Sequence, residues 1–99
     1  MEYRHFGNTI YLRLDPKEEI LEEIGKVAEK ENIRLAQVTG LGAINDFTAG
    51  VYNTVTKEYH SIQFQGAFEI VSLTGTITRK DGDVYLHLHI AAGDEEGNV

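Results

Sequence analysis

The feature that most constrains the fold is a tight turn between two long runs of strand-forming residues. Residues 68–79 and residues 84–92 are rich in Ile, Val, Leu and Thr, and Asp81-Gly82 stands between them. Asp-Gly tolerates the positive φ angles that a two-residue turn requires, so this pattern predicts a β-hairpin. The chain is therefore expected to contain at least one antiparallel pair of strands.

A strand followed by a helix is predicted upstream of this hairpin. Residues 9–14 alternate between apolar and polar side chains, which is typical of a half-buried strand. Asp15 is a suitable N-cap, Pro16 suits the first helical position, and Glu18 has capping-box spacing. Apolar residues then recur at helical spacing, and Asn32 is expected to end the helix in a left-handed conformation.

Short strands separated by turns are predicted in the middle of the chain. The glycines of residues 40–42 are expected to end the first of these strands, and residues 53–56 are expected to form a hairpin turn. The predicted strands are residues 33–39, 47–52 and 58–65.

Charge and composition narrow the classes of function. The 99 residues include 9 Lys and Arg against 16 Asp and Glu, a formal net charge of −7. This balance argues against broad electrostatic binding of a phosphate backbone, which needs clustered Lys and Arg. There are no cysteines, which excludes disulfides, thiolate metal sites and cysteine nucleophiles.

No apolar run approaches the roughly 20 residues of a membrane span and the start lacks a signal-peptide core, so a cytoplasmic protein is expected.

The length corresponds to one domain, which we expect to span residues 1–99. Residues 93–98 are typical of a polar turn after a strand, and Val99 resembles the first residue of another strand. We therefore expect the domain to lack one or more C-terminal strands, which would leave a strand edge unpaired. A frayed tail is the alternative interpretation.

The sequence His87-Leu88-His89 is the one motif with metal-ligand chemistry. Residues two apart in a strand project from the same face, so the two imidazoles are expected to be neighbours. Imidazole nitrogens bind zinc, but a site needs a third ligand from His5, His60, a carboxylate, a neighbouring subunit or a segment beyond Val99. The alternative is a pair of strand histidines that make ordinary hydrogen bonds.

Glu69 is a second candidate. Alternation places Glu69 with Val71 and Leu73 on an otherwise apolar face, where an unpaired carboxylate would be costly. Glu69 could act as a general base or could orient a ligating histidine. The alternative is that the end of the strand exposes Glu69, or that the carboxylate pairs with Arg79 or Lys80.

Three motifs resemble the PPC domain, the "plants and prokaryotes conserved" domain. Residues 66–75, Gly-Ala-Phe-Glu-Ile-Val-Ser-Leu-Thr-Gly, resemble its signature Gly-Arg-Phe-Glu-Ile-Leu-Ser-Leu-Ser-Gly. Residues 38–43, Val-Thr-Gly-Leu-Gly-Ala, resemble its Val-Ser-Gly-Ile-Gly-Ala turn. Residues 85–89, Tyr-Leu-His-Leu-His, and the Gly-Asp turn after them are similar to its histidine strand. The motifs occur in the family's order, and the resemblance runs from about Phe6 to Val99.

The resemblance implies an α+β (mixed α/β) fold, with one main helix packed on a largely antiparallel β-sheet and with assembly into a homotrimer. It also implies a metal site, usually zinc, formed by His87, His89 and a histidine of a Gly-Gly-His motif expected beyond Val99. In plant members the signature segment is implicated in contacts with transcription factors, although Ala67 here replaces their arginine. By this resemblance the candidate partner-binding residues are Gly66, Phe68, Glu69 and Ile70.

The resemblance further implies a stand-alone domain associated with DNA or transcription. In plant members DNA binding comes from an AT-hook arm, Arg-Gly-Arg-Pro, which this sequence lacks, and the acidic charge opposes contact with phosphate. One alternative is a zinc-dependent enzyme that acts on a small molecule with metal-bound water and Glu69 as base. Another is a structural, trimeric interaction module. Because fold alone licenses no activity, we favour a non-enzymatic protein. DNA binding would instead be favoured if four arginines converged on one face: Arg4, Arg13, Arg34 and Arg79.

Overall fold

One helix and five strands make up the computed structural model, which describes all of residues 1–99. The first sheet pairs β1 with β2, and the second has the order β3-β4-β5. About 63% of the residues lie in strands, so the α+β class and the largely antiparallel sheet are confirmed. No helix is long and apolar enough to cross a membrane. The elements are β1 (Glu2–Phe6), β2 (Thr9–Arg13), α1 (Ile20–Lys30), β3 (Ala36–Asn53), β4 (Glu58–Lys80) and β5 (Asp83–Gly93).

Contacts divide the chain into two compact units. Unit 1 consists of Met1–Ala36 and Thr76–His87, and unit 2 consists of Gln37–Gly75 and Leu88–Val99. The expectation of a single domain over residues 1–99 stays a prediction.

β1 is a strand that the sequence analysis did not predict. It pairs with β2 in antiparallel register, with Phe6 opposite Thr9 across a tight turn. Gly7 has a φ of 62° in this turn, a left-handed conformation that costs glycine little. Only Tyr3 among the five side chains of β1 is half-buried, so the alternation that normally marks a strand is missing.

The helix begins later than the sequence predicts. Lys17 has a φ of 75°, which a right-handed helix cannot contain, and the N-cap is Glu19. Only half of the predicted capping box forms: the Asp15 backbone N–H donates to the Glu18 carboxylate at 2.6 Å, whereas the Asp15 carboxylate binds the Met1 ammonium at 2.8 Å instead of a helix N–H. The Glu18 N–H donates back to the Asp15 carbonyl at 3.2 Å, so these bonds close a turn before the helix instead of starting it. The predicted start at residues 15–16 is therefore wrong.

The end of the helix agrees with the sequence. Asn32 has a φ of 50°, as predicted for a left-handed stop. The Ile33 N–H donates to the Ala28 carbonyl at 2.9 Å, which satisfies one of the last carbonyls of α1.

The apolar core lies in unit 1. Burying side chains of this size contributes roughly 1.5–3 kcal/mol each for Ile and Val. The buried apolar residues are Ile24, Val27, Ala28 and Ile77, three from α1 and one from β4.

Arg79 of β4 holds the C-terminal end of α1. Its Nε donates to the Ile33 carbonyl at 3.0 Å, and its Nη2 donates to the Ala28 carbonyl at 3.2 Å. Its Nη1 donates at 3.2 Å to both the Glu29 carboxylate and the Gly82 carbonyl. The last carbonyls of a helix lack partners within it, and a cation there is favoured by the helix dipole. One side chain, 14% exposed, therefore ties the helix end to the β4–β5 turn.

β3 and β4 are longer than predicted because glycines continue them. Gly42 lies within β3 with a φ of 145°, and Gly66 lies within β4 with a φ of 142°. A Cβ on Gly40 would lie 3.0 Å from the Leu73 side chain, a tight contact that favours glycine there. The prediction that residues 40–42 end a strand is wrong, and the two strands predicted on either side of Gly66 are one.

The two predicted hairpin turns are confirmed. Asp81 and Gly82 have φ angles of 53° and 87°, as a two-residue turn with the twist of a hairpin requires. The Asn53 side chain accepts from the N–H groups of Val55 at 2.9 Å and Thr56 at 3.0 Å. These turns make β4 the antiparallel neighbour of both β3 and β5.

The predicted polar turn after β5 is organised by Asp94. Its Oδ1 accepts from the N–H groups of Glu96 and Asn98, both at 2.9 Å. These hydrogen bonds, above all the one from the Asn98 backbone, lower the pKa of Asp94.

We predict that Arg79→Met strongly destabilises the protein. The substitution keeps an apolar stem but removes the donors to the Ile33 and Gly82 carbonyls and one of the two donors to the Ala28 carbonyl, which costs about 2–3 kcal/mol of unfolding free energy. Urea denaturation measures the loss. The control is Arg13→Met, because Arg13 is largely exposed and its ion pair with Asp15 contributes roughly 0–1 kcal/mol. Equal stability of the two variants would contradict the role assigned to Arg79.

Acid is expected to open the Asp94 turn. Because the folded pKa lies below the ordinary value of 3.8, the carboxylate stabilises the turn fully above that value. The stabilisation is lost as the pH falls through the lowered pKa. NMR amide shifts of Glu96 and Asn98 should therefore titrate with a midpoint below 3.8, and Asp94→Asn should abolish this transition. A midpoint at or above the ordinary value would refute the assignment.

Candidate functional site

His87 and His89 occupy alternate positions in β5. Both side chains are exposed, as is that of Tyr85, which precedes them on the same face. The Lys80 Nζ lies 5.6 Å from the centroid of the Tyr85 ring, a cation–π contact. The two imidazoles therefore project from one exposed face of the strand, as the sequence predicts. The residues between and beside them are half-buried: Val84, Leu86, Leu88 and Ile90.

Neither His5 nor His60 completes a metal site with them. The chain contains no group of three or more His, Cys, Asp or Glu side chains placed to hold a metal ion. The His5 Nε2 lies 2.9 Å from the Glu31 carboxylate. The Tyr3 hydroxyl donates to the same carboxylate at 2.9 Å, and this bond raises the pKa of Tyr3.

The residues present thus fit part of a zinc coordination sphere. Two imidazoles on one face can supply two of its four positions, and the others would be taken by water or by another chain. The ligand expected beyond Val99 stays a prediction.

Glu69 does not lie on an apolar face. Its side chain is exposed, and Val71 on the same side of β4 is 62% exposed. Val71 and Ser72 are both exposed and Leu73 is half-buried, so burial does not follow a period of two in this part of β4. Arg79, considered as a partner for Glu69, binds the end of α1 instead. Glu69 is therefore solvent-exposed, as the alternative expected, but it lies in the middle of β4 and not at the end of a strand.

The other residues of the signature segment divide between packing and exposure. Phe68 packs edge-on against Phe47, with ring centroids 5.3 Å apart, and Phe47 stacks on Phe64 at 5.1 Å. Phe68 and Ile70 are half-buried, whereas Gly66 is exposed. A role for these residues in partner binding stays a prediction.

The arginines do not form a basic face. Arg34 is exposed, whereas the other three arginines bind carboxylates. The ion pairs are Arg4 with Glu2 at 3.5 Å, Arg13 with Asp15 at 3.3 Å and Arg79 with Glu29 at 3.2 Å. Arg4 and Arg13 share one face of the β1–β2 pair, but each lies beside a carboxylate, so this face is not a cluster of unpaired cations.

Residues 47–68, here called the apolar arm, form a feature that the sequence analysis missed. Val51 is 74% exposed and Val55 86%, and Tyr59 and Ile62 are at least half exposed. No side chain anywhere in unit 2 is buried. The signal was available in the sequence, because the arm contains only two charged residues, Lys57 and Glu58, both at its turn.

Comparisons with known proteins agree with this fold. The structure of a candidate DNA-binding protein from Bacteroides thetaiotaomicron is 31% identical in sequence and has a TM-score of 0.93. The match covers 97% of this chain and 67% of the Bacteroides chain. A plant- and prokaryote-conserved (PPC) protein from Pyrococcus horikoshii is 35% identical, with a TM-score of 0.82, over 87% and 60%. A metal-containing protein from Archaeoglobus fulgidus is 30% identical, with a TM-score of 0.81, over 85% and 60%.

The chain thus spans 60–67% of the length of these three structures. No curated protein matches it significantly. The model of the Plants and Prokaryotes Conserved (PCC) domain matches residues 1–99, the whole of the sequence. With its signature segment in β4 and its histidine pair in β5, the chain belongs to the PCC domain family.

Proposed function

We propose that this chain is a non-enzymatic, homo-oligomeric PCC domain, located in the cytoplasm, that binds zinc through His87 and His89. The observation that carries the proposal is the placement of both imidazoles on one exposed face of β5. The metal-containing relative from Archaeoglobus fulgidus, 30% identical, supports it.

The chemistry of the donor set suits zinc. Neutral imidazole nitrogens are common zinc ligands, and the chain has no thiolate that would select a softer metal. The net charge of −7 also favours a bound cation. When bound, the metal would supply a fixed positive charge at this face. With only two ligands from one chain, its remaining positions allow it to bridge to another chain.

The apolar arm supports association with further copies. A hairpin that buries none of its side chains is marginal in water, and contiguous exposed apolar surface marks an interaction site. The arm is nearly free of charge, so acidic copies can approach each other there without strong repulsion. A trimer, which the family resemblance implies, is the assembly that we propose.

Two other functions have less support. The Bacteroides relative suggests DNA binding, but the net charge of −7 and the paired arginines oppose it. A zinc enzyme would need a base near the metal. Glu69 is exposed and forms no metal-holding group with the imidazoles of β5.

Zinc binding is expected to depend on both histidines of β5. His87→Ala and His89→Ala should each lose most of the bound zinc, because each removes one of the two ligands that the chain supplies. Elemental analysis of tag-free protein after dialysis against zinc measures the content, and the absorption spectrum of the cobalt-substituted protein reports the ligands. His60→Ala is the matched control and should bind as much zinc as the unchanged chain. Equal zinc in all four proteins would refute the site.

Charges placed on the apolar arm are expected to reduce the number of copies per particle. In Val51→Lys/Ile62→Lys two ammonium groups would have to be desolvated at the contact, which is costly. Light scattering coupled to size-exclusion chromatography gives the number of copies. The control Tyr11→Lys/Leu35→Lys also changes two exposed apolar residues, both in unit 1, and should leave that number unchanged. If both variants contained the same number of copies per particle, the apolar arm would not be the contact between copies.

A further inference from the structure

His60 lies in a small apolar groove on the arm. The groove has a volume of about 270 Å³, and all of its lining residues belong to unit 2. Val51 of β3, Ile62 of β4 and Ile90 of β5 are among them, and His60 is the only lining residue with a polar side chain. Residues two apart in a strand share a face, so His60, Ile62 and Phe64 project together from β4. The arm therefore presents one imidazole among apolar side chains.

The groups around His60 place no counter-charge in the groove. The lining residues from β3 and β5 contain no titratable side chain. Tyr59 and His89 are next to lining residues, but alternation places both on the opposite faces of their strands. Glu58 shares the face of His60 two residues earlier, but it is exposed to water and lies outside the lining. A protonated His60 would therefore bring an unbalanced positive charge into an apolar groove.

Association through the arm removes water from this groove, because Val51 and Ile62 of the proposed contact line it together with His60. Desolvation costs a neutral imidazole much less than a charged imidazolium. The neutral form therefore associates more strongly, and association releases the proton of any imidazolium that it covers. An imidazole ordinarily titrates near pH 6.5. Below about that pH, each covered imidazole lowers the association constant by up to about tenfold per pH unit, and three together by up to about a thousandfold.

The rest of the chain responds to acid in the opposite direction. The net charge is −7, and protons taken up by carboxylates or by the other histidines reduce this charge. Repulsion between copies then weakens, which favours association. Dissociation on mild acidification therefore requires a group that is desolvated at the contact, and His60 is the titratable side chain in that position.

We propose that His60 makes association through the apolar arm sensitive to pH, so that copies assemble while the imidazole is neutral and separate when it takes up a proton. This regulation rests on the proposed function, in which the arm is the contact between copies. A lysine in the same groove would be charged, and a leucine neutral, at every physiological pH. Histidine is the side chain whose charge changes within that range.

The test is the number of copies per particle between about pH 8 and about pH 5.5, measured by sedimentation equilibrium with a chelator present so that zinc does not contribute. The unchanged chain should be trimeric at the higher pH and lose copies at the lower. His60→Gln is neutral throughout and should keep its copies at both. The control His5→Gln removes a histidine of unit 1 and should dissociate in acid as the unchanged chain does. Acid dissociation of His60→Gln, or none in the unchanged chain, would overturn the proposal.

A fixed charge at the same position provides a second test. His60→Lys should lose copies even at the higher pH, and a trimer there would also overturn the proposal. The contact itself is tested separately by Val51→Lys/Ile62→Lys. If that variant keeps its copies, the arm is not the contact, and this inference falls with it. If that variant loses them while His60→Gln and the unchanged chain respond alike to acid, only the role of His60 is refuted.

Discussion

The rest of unit 1 depends on the contacts of Arg79 with the end of α1. An isolated helix of 11 residues is marginal in water. Only four apolar side chains of the chain are buried, and three of them belong to α1 itself. The guanidinium donates to the Ala28 carbonyl at the helix end, to the Ile33 carbonyl just after the helix and to the Gly82 carbonyl in the turn between β4 and β5. It thereby couples the position of the helix to the hairpin that carries the histidines. A planar group with five donors can make all of these bonds at once, which a lysine could not do.

Unit 2 is stabilised in a different way, and its surface explains why association is proposed. Its clearest internal packing is the aromatic group of Phe47, Phe64 and Phe68, yet none of these rings is fully buried. A chain of 99 residues buries a limited share of its surface, and here the buried side chains all lie in unit 1. The large apolar side chains of the arm remain exposed in the single chain. A second chain that covers them would supply the burial that unit 2 lacks.

The sequence predicted those features that depend on local patterns. Asp81-Gly82, the left-handed Asn32 and the shared face of His87 and His89 follow from neighbouring residues alone, and the structure agrees. The late start of α1 could not be predicted, because the contacts between Asp15 and Glu18 close a turn in which Lys17 has a left-handed conformation. Gly40 packs against Leu73, which lies 33 positions later in the sequence, so no local pattern marks this glycine as part of a continuous β3. The exposure of Glu69 likewise depends on a break in alternation that no local signal marks. A third metal ligand could not be assigned because this chain does not contain one near the histidines.

The net negative charge determines which ligands and which partners the surfaces of this chain can bind. It opposes phosphate, and it favours a cation at the two imidazoles of β5. It also opposes contact between copies, except where a surface carries no net charge of its own. The apolar arm meets that condition, because it contains only two charged residues of opposite sign. Repulsion over the acidic remainder of the surface disfavours contacts elsewhere, so the same net charge that weakens self-association in general favours the arm as the place of contact.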